Sequence, residues 1–230
     1  MRHKNAALAL SAVLALAAAG ARADDDNTIR AGLYYVHYAS SADNITGPGL
    51  PPNENLNLRI EDLVTLYLAY QRTLSTHFAL ELAFGYPPLS KTVGVGPSHL
   101  GSVPYDGQVI STARWIAPTV LLNYVFFDES HALRPYVGLG VNYTKLYSLQ
   151  STTAGNAASG GPTSIELPSS VGPAATVGLR YNLDKRWSLF ASYSASMVDS
   201  RLTANTAGLI RTTHIDFWPL ALVVSAGYSF

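Results

Sequence analysis

The feature that most constrains this chain is a series of eight period-two segments joined by connections that alternate long and short. The segments lie near Ile29–Tyr38, Asp62–Gln71, His77–Gly85, Arg114–Phe127, Leu133–Tyr147, Gly172–Asn182, Trp187–Met197 and His214–Phe230. The long connections are Ala39–Glu61, Tyr86–Ala113, Ser148–Val171 and Val198–Thr213, rich in Gly, Pro, Ser, Thr and Asn as loops are. The short ones surround Arg72–Thr76, Asp128–Ala132 and Leu183–Arg186. Side chains along a strand alternate between two faces. Tight turns at one end and long loops at the other are what an up-and-down barrel of even strand number produces. In lipid the sheet must close, because an open edge leaves backbone N–H and C=O groups without partners. The expected fold is therefore all-β: an eight-stranded antiparallel up-and-down transmembrane β-barrel.

The N-terminus points to the same compartment. Arg2, His3 and Lys4 precede an apolar stretch from Ala6 to Gly20, and Ala21-Arg22-Ala23 gives a small-x-small cleavage site before three aspartates. That is the layout of a secretory signal peptide, and the stretch is short for a membrane helix of about 20 residues. Residues 1–23 are expected to be removed, leaving residues 24–230 as the barrel domain in the outer membrane of a Gram-negative bacterium. Loss of Arg2, Lys4 and Arg22 leaves 12 basic against 15 acidic residues, so no basic patch points to nucleic acid. Cysteine is absent, which excludes disulfides and thiolate metal sites. Charged residues make up 13% of the chain, about half the share of a soluble domain. With 14 tyrosines, that balance suits a wall meeting lipid at every second position.

Period two also assigns faces. In the last segment Trp218, Leu220, Leu222, Val224, Ala226, Tyr228 and Phe230 share the larger, more apolar side, expected to meet lipid with aromatics at both interfaces. Likewise Ile116, Val120, Leu122, Tyr124 and Phe126 point out while Trp115, Thr119, Leu121 and Asn123 point in. Val137, Leu139, Val141 and Tyr143 point out, and Gly138, Gly140, Asn142 and Thr144 point in.

The ordered set Trp115-Ile116-Ala117-Pro118-Thr119-Val120-Leu121-Leu122-Asn123-Tyr124, Arg134-Pro135-Tyr136-Val137-Gly138-Leu139-Gly140-Val141-Asn142-Tyr143, Gly172 to Gly178, Leu183-Asp184-Lys185-Arg186-Trp187 and Ala226-Gly227-Tyr228-Ser229-Phe230 resembles the OmpW family of small outer-membrane barrels. In the first half the resemblance is carried by strand spacing and by Phe78-Ala79-Leu80-Glu81-Leu82. It implies an eight-stranded barrel with a narrow hydrophobic interior, associated with passive uptake of small hydrophobic molecules. The closing aromatic-x-Phe also resembles the signal read by the outer-membrane assembly machinery, with Phe230 as its key residue. Filling a place in the aromatic girdle is a role that Phe230 can hold at the same time.

The inward positions carry an argument of their own. Arg30, Glu81 and Arg180 fall near the periplasmic end, and a buried charge is costly unless paired. They are expected to form a salt-bridged layer that plugs the lower barrel, either as part of a transport path or as a structural network. Toward the extracellular end Tyr34, Tyr38, Leu63, Tyr67, Trp115, Leu121, Leu146 and Phe217 face in. Apolar side chains at a barrel mouth describe a pocket for a hydrophobic ligand; ordinary filling of the lumen gives the same pattern. Pro118, Pro173 and Pro219 each lack an N–H in a strand returning from a long loop. They read either as a gap for lateral release into the membrane or as bulges and strand starts.

Two rival functions stand beside transport. Ser98-His99 and Ser130-His131 lie in a loop and a turn, and His37, His77 and His214 are scattered without metal-ligand spacing. No catalytic residue, metal or cofactor is expected. A structural or loop-binding barrel is the other alternative, although Ser148–Val171 reads as a flexible connection rather than a preformed recognition site. The expected partners are outer-membrane lipid, a small hydrophobic ligand and the assembly machinery, with no nucleic acid, and the barrel is expected to be a monomer.

Overall fold

The computed structural model describes residues 26–50, 55–97 and 99–230, without the side chains of Ser40, Ser41 and Phe217. The expected signal peptide lies outside the described residues. The strands are β1 (Asn27–Ala42), β2 (Asn57–Ile60), β3 (Leu63–Ser75), β4 (Phe78–Gly85), β5 (Leu89–Val95), β6 (Val109–Ile116), β7 (Thr119–Val125) and β8 (Leu133–Ser151). A short helix, α1 (Thr153–Ser159), precedes β9 (Thr163–Glu166), β10 (Ser170–Asn182), β11 (Trp187–Ser196), β12 (Val198–Thr206) and β13 (Leu209–Ser229).

These strands join end to end into eight antiparallel staves. Five staves are interrupted: β2 runs into β3, β4 into β5, β6 into β7, β9 into β10 and β11 into β12. The lower wall runs β1–β3–β4–β7–β8–β10–β11–β13 and closes through the β13–β1 ladder, from Thr28 opposite Ser229 to Ala42 opposite Ile215. Three interruptions contain proline: Pro87 and Pro88, Pro118, and Pro168. Each removes a ladder donor at that point.

The face assignments agree with burial. Leu139 is 73% exposed, Val141 53% and Val224 58%, whereas Leu121, Asn123, Asn142, Ala221 and Val223 between such positions are buried. Exposed Phe78, Tyr124, Tyr181 and Trp187 ring the periplasmic end of the belt, and Tyr35, Tyr86, Tyr193 and Trp218 ring its upper end, as amphipathic rings do at the two interfaces.

Above the upper ring the sequence reading needs correction. The long connections are not wholly irregular: β2, β5, β6, β9 and β12 extend the wall beyond the belt. The segment 148–171, read as a flexible connection, contains the end of β8, α1 and β9. Thr152 caps the helix by accepting from the Gly155 N–H at 2.8 Å, and Gly160, at φ 95°, closes it in the left-handed region. Leu56, Tyr105 and Ala158, all buried, pack with Leu50, Leu100 and Val103 into a lid over the mouth.

Candidate functional site

The lumen is divided by a polar layer. Arg30 and Glu81 meet at 2.9 Å with both side chains almost fully buried. The same carboxylate accepts from the Tyr67 hydroxyl at 2.6 Å and from the Asn123 amide at 2.8 Å. The Arg30 guanidinium also lies 3.9 Å from the centre of the Phe190 ring and 5.4 Å from that of Tyr67. Strands β1, β3, β4, β7 and β11 each contribute one of these side chains, so the layer crosses the barrel from wall to wall. With its charges paired and hydrogen-bonded, the arrangement meets the condition for keeping ions in a dry interior.

Arg180 does not join that ion pair. Its Nε donates to Asn182 at 2.7 Å and Ser188 at 3.3 Å, and its guanidinium stands 5.6 Å from the Phe190 ring. Phe190 thus has Arg30 and Arg180 as cationic neighbours, and Glu81 accepts from Arg30, Tyr67 and Asn123. Arg134, opposite Arg180 in the ladder, instead donates to the carbonyls of Thr76 and Phe127 at 2.6 and 2.8 Å, fastening two periplasmic turns. Sequence reasoning missed Tyr67, Asn123 and Phe190 as parts of the layer. The signal was present: Asn123 and Glu81 both face in on adjacent staves.

Above the layer lies a cavity of about 120 Å³ bordered by Tyr34, Tyr38, Tyr67, Trp115, Leu121, Leu146 and many smaller apolar and hydroxyl side chains. An apolar cavity of about 150 Å³ takes up benzene, so the space is of small-molecule size. Trp115 is held by its indole N–H on Ser90 at 2.8 Å and edge-on to Tyr34, with ring centres 6.4 Å apart. Leu63 is half-buried and does not border this cavity. Phe217 sits in β13 opposite Ser40, and its side chain lies outside the described residues. Leu58, Ile60, Val198 and Ile215, packed with Ala42, border the upper part of the cavity beneath the lid.

The three prolines separate in the structure. Pro173 lies opposite Val141 in the β8–β10 ladder and accepts from the Met197 N–H at 3.0 Å, and Pro219 lies opposite Tyr38 in the β13–β1 ladder. Pro219 leaves its ladder unbroken, whereas Pro173 stands where the β10–β11 ladder stops, at Ala174 opposite Ser196. The next pairing on that seam is Glu166 opposite Thr203, with Ser170 and Pro168 bridged to Asp199 and Ser200 between them. At Pro118, too, a break in one stave faces a break in the next: that between β6 and β7 faces that between β4 and β5. The lower ladder ends at Ala83 opposite Thr119, and the next begins at Leu89 opposite Arg114. Between them no ladder joins residues 84–88 to 115–118; the Arg114 guanidinium reaches across to the Pro87 carbonyl at 3.0 Å. Phe84, Gly85, Ala117 and Thr119, on both rims of this gap, also border the cavity.

The remaining residues singled out from the sequence lie elsewhere. Phe230 stands half-exposed at the periplasmic rim, its N–H on the Asn27 carbonyl at 2.8 Å. Ser130 and His131 are exposed in a turn, where both bond to the Asp128 carboxylate, so the serine proton is directed at the acid and not at the imidazole. Ser98 lies outside the described residues.

Comparison with known proteins agrees with this architecture. The model of the OmpW family matches residues 24–230. Outer membrane protein W of Vibrio cholerae is 28% identical over 232 residues, covering 100% of both chains. Outer membrane protein AlkL of Ectopseudomonas oleovorans is 25% identical over 184 residues, 80% of this chain and 73% of its own. The crystal structure of outer membrane protein OprG from Pseudomonas aeruginosa shares the fold, with a TM-score of 0.78 at 21% identity over 89% of this chain and 95% of OprG. An eight-stave barrel, two aromatic rings and these relatives lead to one conclusion: the chain belongs to the OmpW family and is a β-barrel of the Gram-negative outer membrane.

Proposed function

We propose that the barrel is a narrow conduit for passive uptake of small hydrophobic molecules, which leave sideways into the membrane. One observation carries the reading: a cavity of small-molecule size is closed below by the Arg30–Glu81 layer and bordered on one side by the gap at Pro118. An apolar solute gains nothing by crossing a charged, hydrogen-bonded layer. It gains transfer free energy, about 25 cal/mol for each Å² of apolar surface, by staying out of water. The gap offers a route from cavity to lipid that passes Ala117 and Phe84 and avoids the layer. On this reading the ligand is a small hydrophobic molecule, and the lid over the mouth must yield for it to enter.

The test is uptake of an alkane-like tracer into liposomes carrying refolded barrel, with single-channel conductance recorded on the same preparation. Faster entry than in protein-free liposomes, with little ion conductance, is the expected result. A folded barrel that leaves tracer entry unchanged overturns the proposal.

A further inference from the structure

Just beyond the upper aromatic ring, one sector of the outer wall carries a row of cations. Arg59 on β2, Lys91 on β5 and Lys145 on β8 are exposed, and Arg114 on β6 is half-buried. Their alternate neighbours Leu58, Ser90, Trp115 and Thr144 are buried, so the row faces outward. The ladders set its spacing. Arg59 lies opposite Val93, Lys91 opposite Thr112, and Arg114 opposite Tyr147. Each cation is therefore the diagonal neighbour of the next across four adjacent staves, a separation of about 7–8 Å. On their own staves Lys91 lies above Tyr86, Arg114 above Pro118 and Lys145 above Tyr143, where lipid tails give way to headgroups.

Among the described residues no carboxylate comes within ion-pair distance of these four. Glu61 borders Lys91 across the strand pair, where its N–H bonds the Lys91 carbonyl, without closing a salt bridge. Asp62 is taken up by Tyr35, His37 and the Tyr38 N–H. The opposite sector carries charges of both signs: Asp199 and Asp216 face each other across the β12–β13 ladder, with His214 3.6 Å from Asp199 and Arg201 opposite His214. The row of four cations thus lies on the side of the barrel that holds the gap at Pro118.

We infer that this row binds the phosphate groups of phosphorylated lipid in the outer leaflet, and so fixes an anionic lipid headgroup directly above the gap. Lys and Arg near a membrane surface attract anionic headgroups by about fivefold each, and a guanidinium adds directional, bidentate donation to phosphate. The spacing lets neighbouring cations share one bisphosphorylated headgroup.

The experiment uses the barrel refolded into phosphatidylcholine nanodiscs doped with bisphosphorylated lipid A, with retained lipid counted by native mass spectrometry. The wild-type barrel is expected to retain lipid A in preference to its dephosphorylated form, and free inorganic phosphate at equal concentration is expected to compete poorly. The double variant Lys91→Gln/Lys145→Gln, altering two exposed side chains without hydrogen-bond partners to lose, is expected to weaken retention about 25-fold. Adding Arg59→Gln and Arg114→Gln weakens it further. Lys185→Gln, in a periplasmic turn, is the control and leaves retention unchanged. Equal retention by wild type and the double variant, or of phosphorylated and dephosphorylated lipid, overturns the inference. Tracer uptake into lipid-A-free liposomes is a separate readout, so this result and the transport result stand or fall independently.

Discussion

Arg30 on β1 and Glu81 on β4 are not on neighbouring staves, yet they meet at 2.9 Å across the lumen with side-chain exposures of 1% and 4%. Breaking such a pair from one side leaves a buried charge without its partner, a loss of about 3–5 kcal/mol. Glu81→Leu alone should therefore lower the barrel's stability in urea by that order. The double variant Arg30→Met/Glu81→Leu should recover most of it, because both charges leave together. Unfolding midpoints of the refolded variants check this; a double variant no more stable than Glu81→Leu would mean that Tyr67 and Asn123, not the charge pair, dominate the layer.

The gap at Pro118 makes a different prediction. Ala117 borders both the cavity and the break in the wall. Filling that position with Ala117→Trp should leave the ladders below Ala83 and Thr119 intact while obstructing the side passage. Tracer entry should fall at least tenfold, with conductance and heat-modifiable electrophoretic mobility unchanged. Uptake at the wild-type rate through a folded Ala117→Trp barrel would overturn the Pro118 route and point to an axial path or to the seam between Ala174 and Glu166.

The lower barrel was legible in the sequence because lipid forces it to be. Each stave must alternate, so Leu139, Val141, Val224 and their neighbours announce their face, and the turns at Asp128 and Asp184 fix the hairpins. The upper barrel was less legible, because above the aromatic ring no lipid imposes alternation. There β2, β5 and β12 carry mixed faces and read as loop. In the site, Arg30 and Glu81 were found because a buried charge demands a partner. Arg180 was misplaced because the sequence says that it faces inward but not that Asn182 and Ser188 already satisfy it. Pro118, Pro173 and Pro219 are chemically alike, and only the register shows that a second proline break, at Pro87 and Pro88, faces the first of them.

Trp115 borders the cavity as its bulkiest side chain. It is 6% exposed, anchored to Ser90, and edge-on to Tyr34. Trp115→Ala should cost about 3 kcal/mol, the low end for a buried aromatic, because one side of the ring already borders open space. The enlarged lumen should admit bulkier tracers that the wild type excludes, whereas Trp115→Phe should keep the size limit and lose only the Ser90 hydrogen bond. A tracer series of increasing cross-section, run on the three proteins, reads this out. An unchanged size limit in Trp115→Ala would place the narrowest point elsewhere, in the lid formed around Leu56 and Tyr105.

The periplasmic turn at Asp128 should be resistant to acid. Its exposed carboxyl is drawn down to about 2, first by the Ser130 hydroxyl and then by His131 and the Ser130 N–H, all donating to it. A carboxyl depressed in the folded state contributes its full share above the unfolded value, about 3.9 for aspartate, and loses it as the pH falls through about 2. The turn's contribution is thus present at neutral pH and fades between about pH 4 and pH 2. Carboxyl-carbon NMR titration of the refolded barrel should place the Asp128 midpoint near 2. In Ser130→Ala the midpoint should rise toward the ordinary aspartate range, and a midpoint unmoved by that change would assign the depression to His131 and the backbone N–H at position 130 instead.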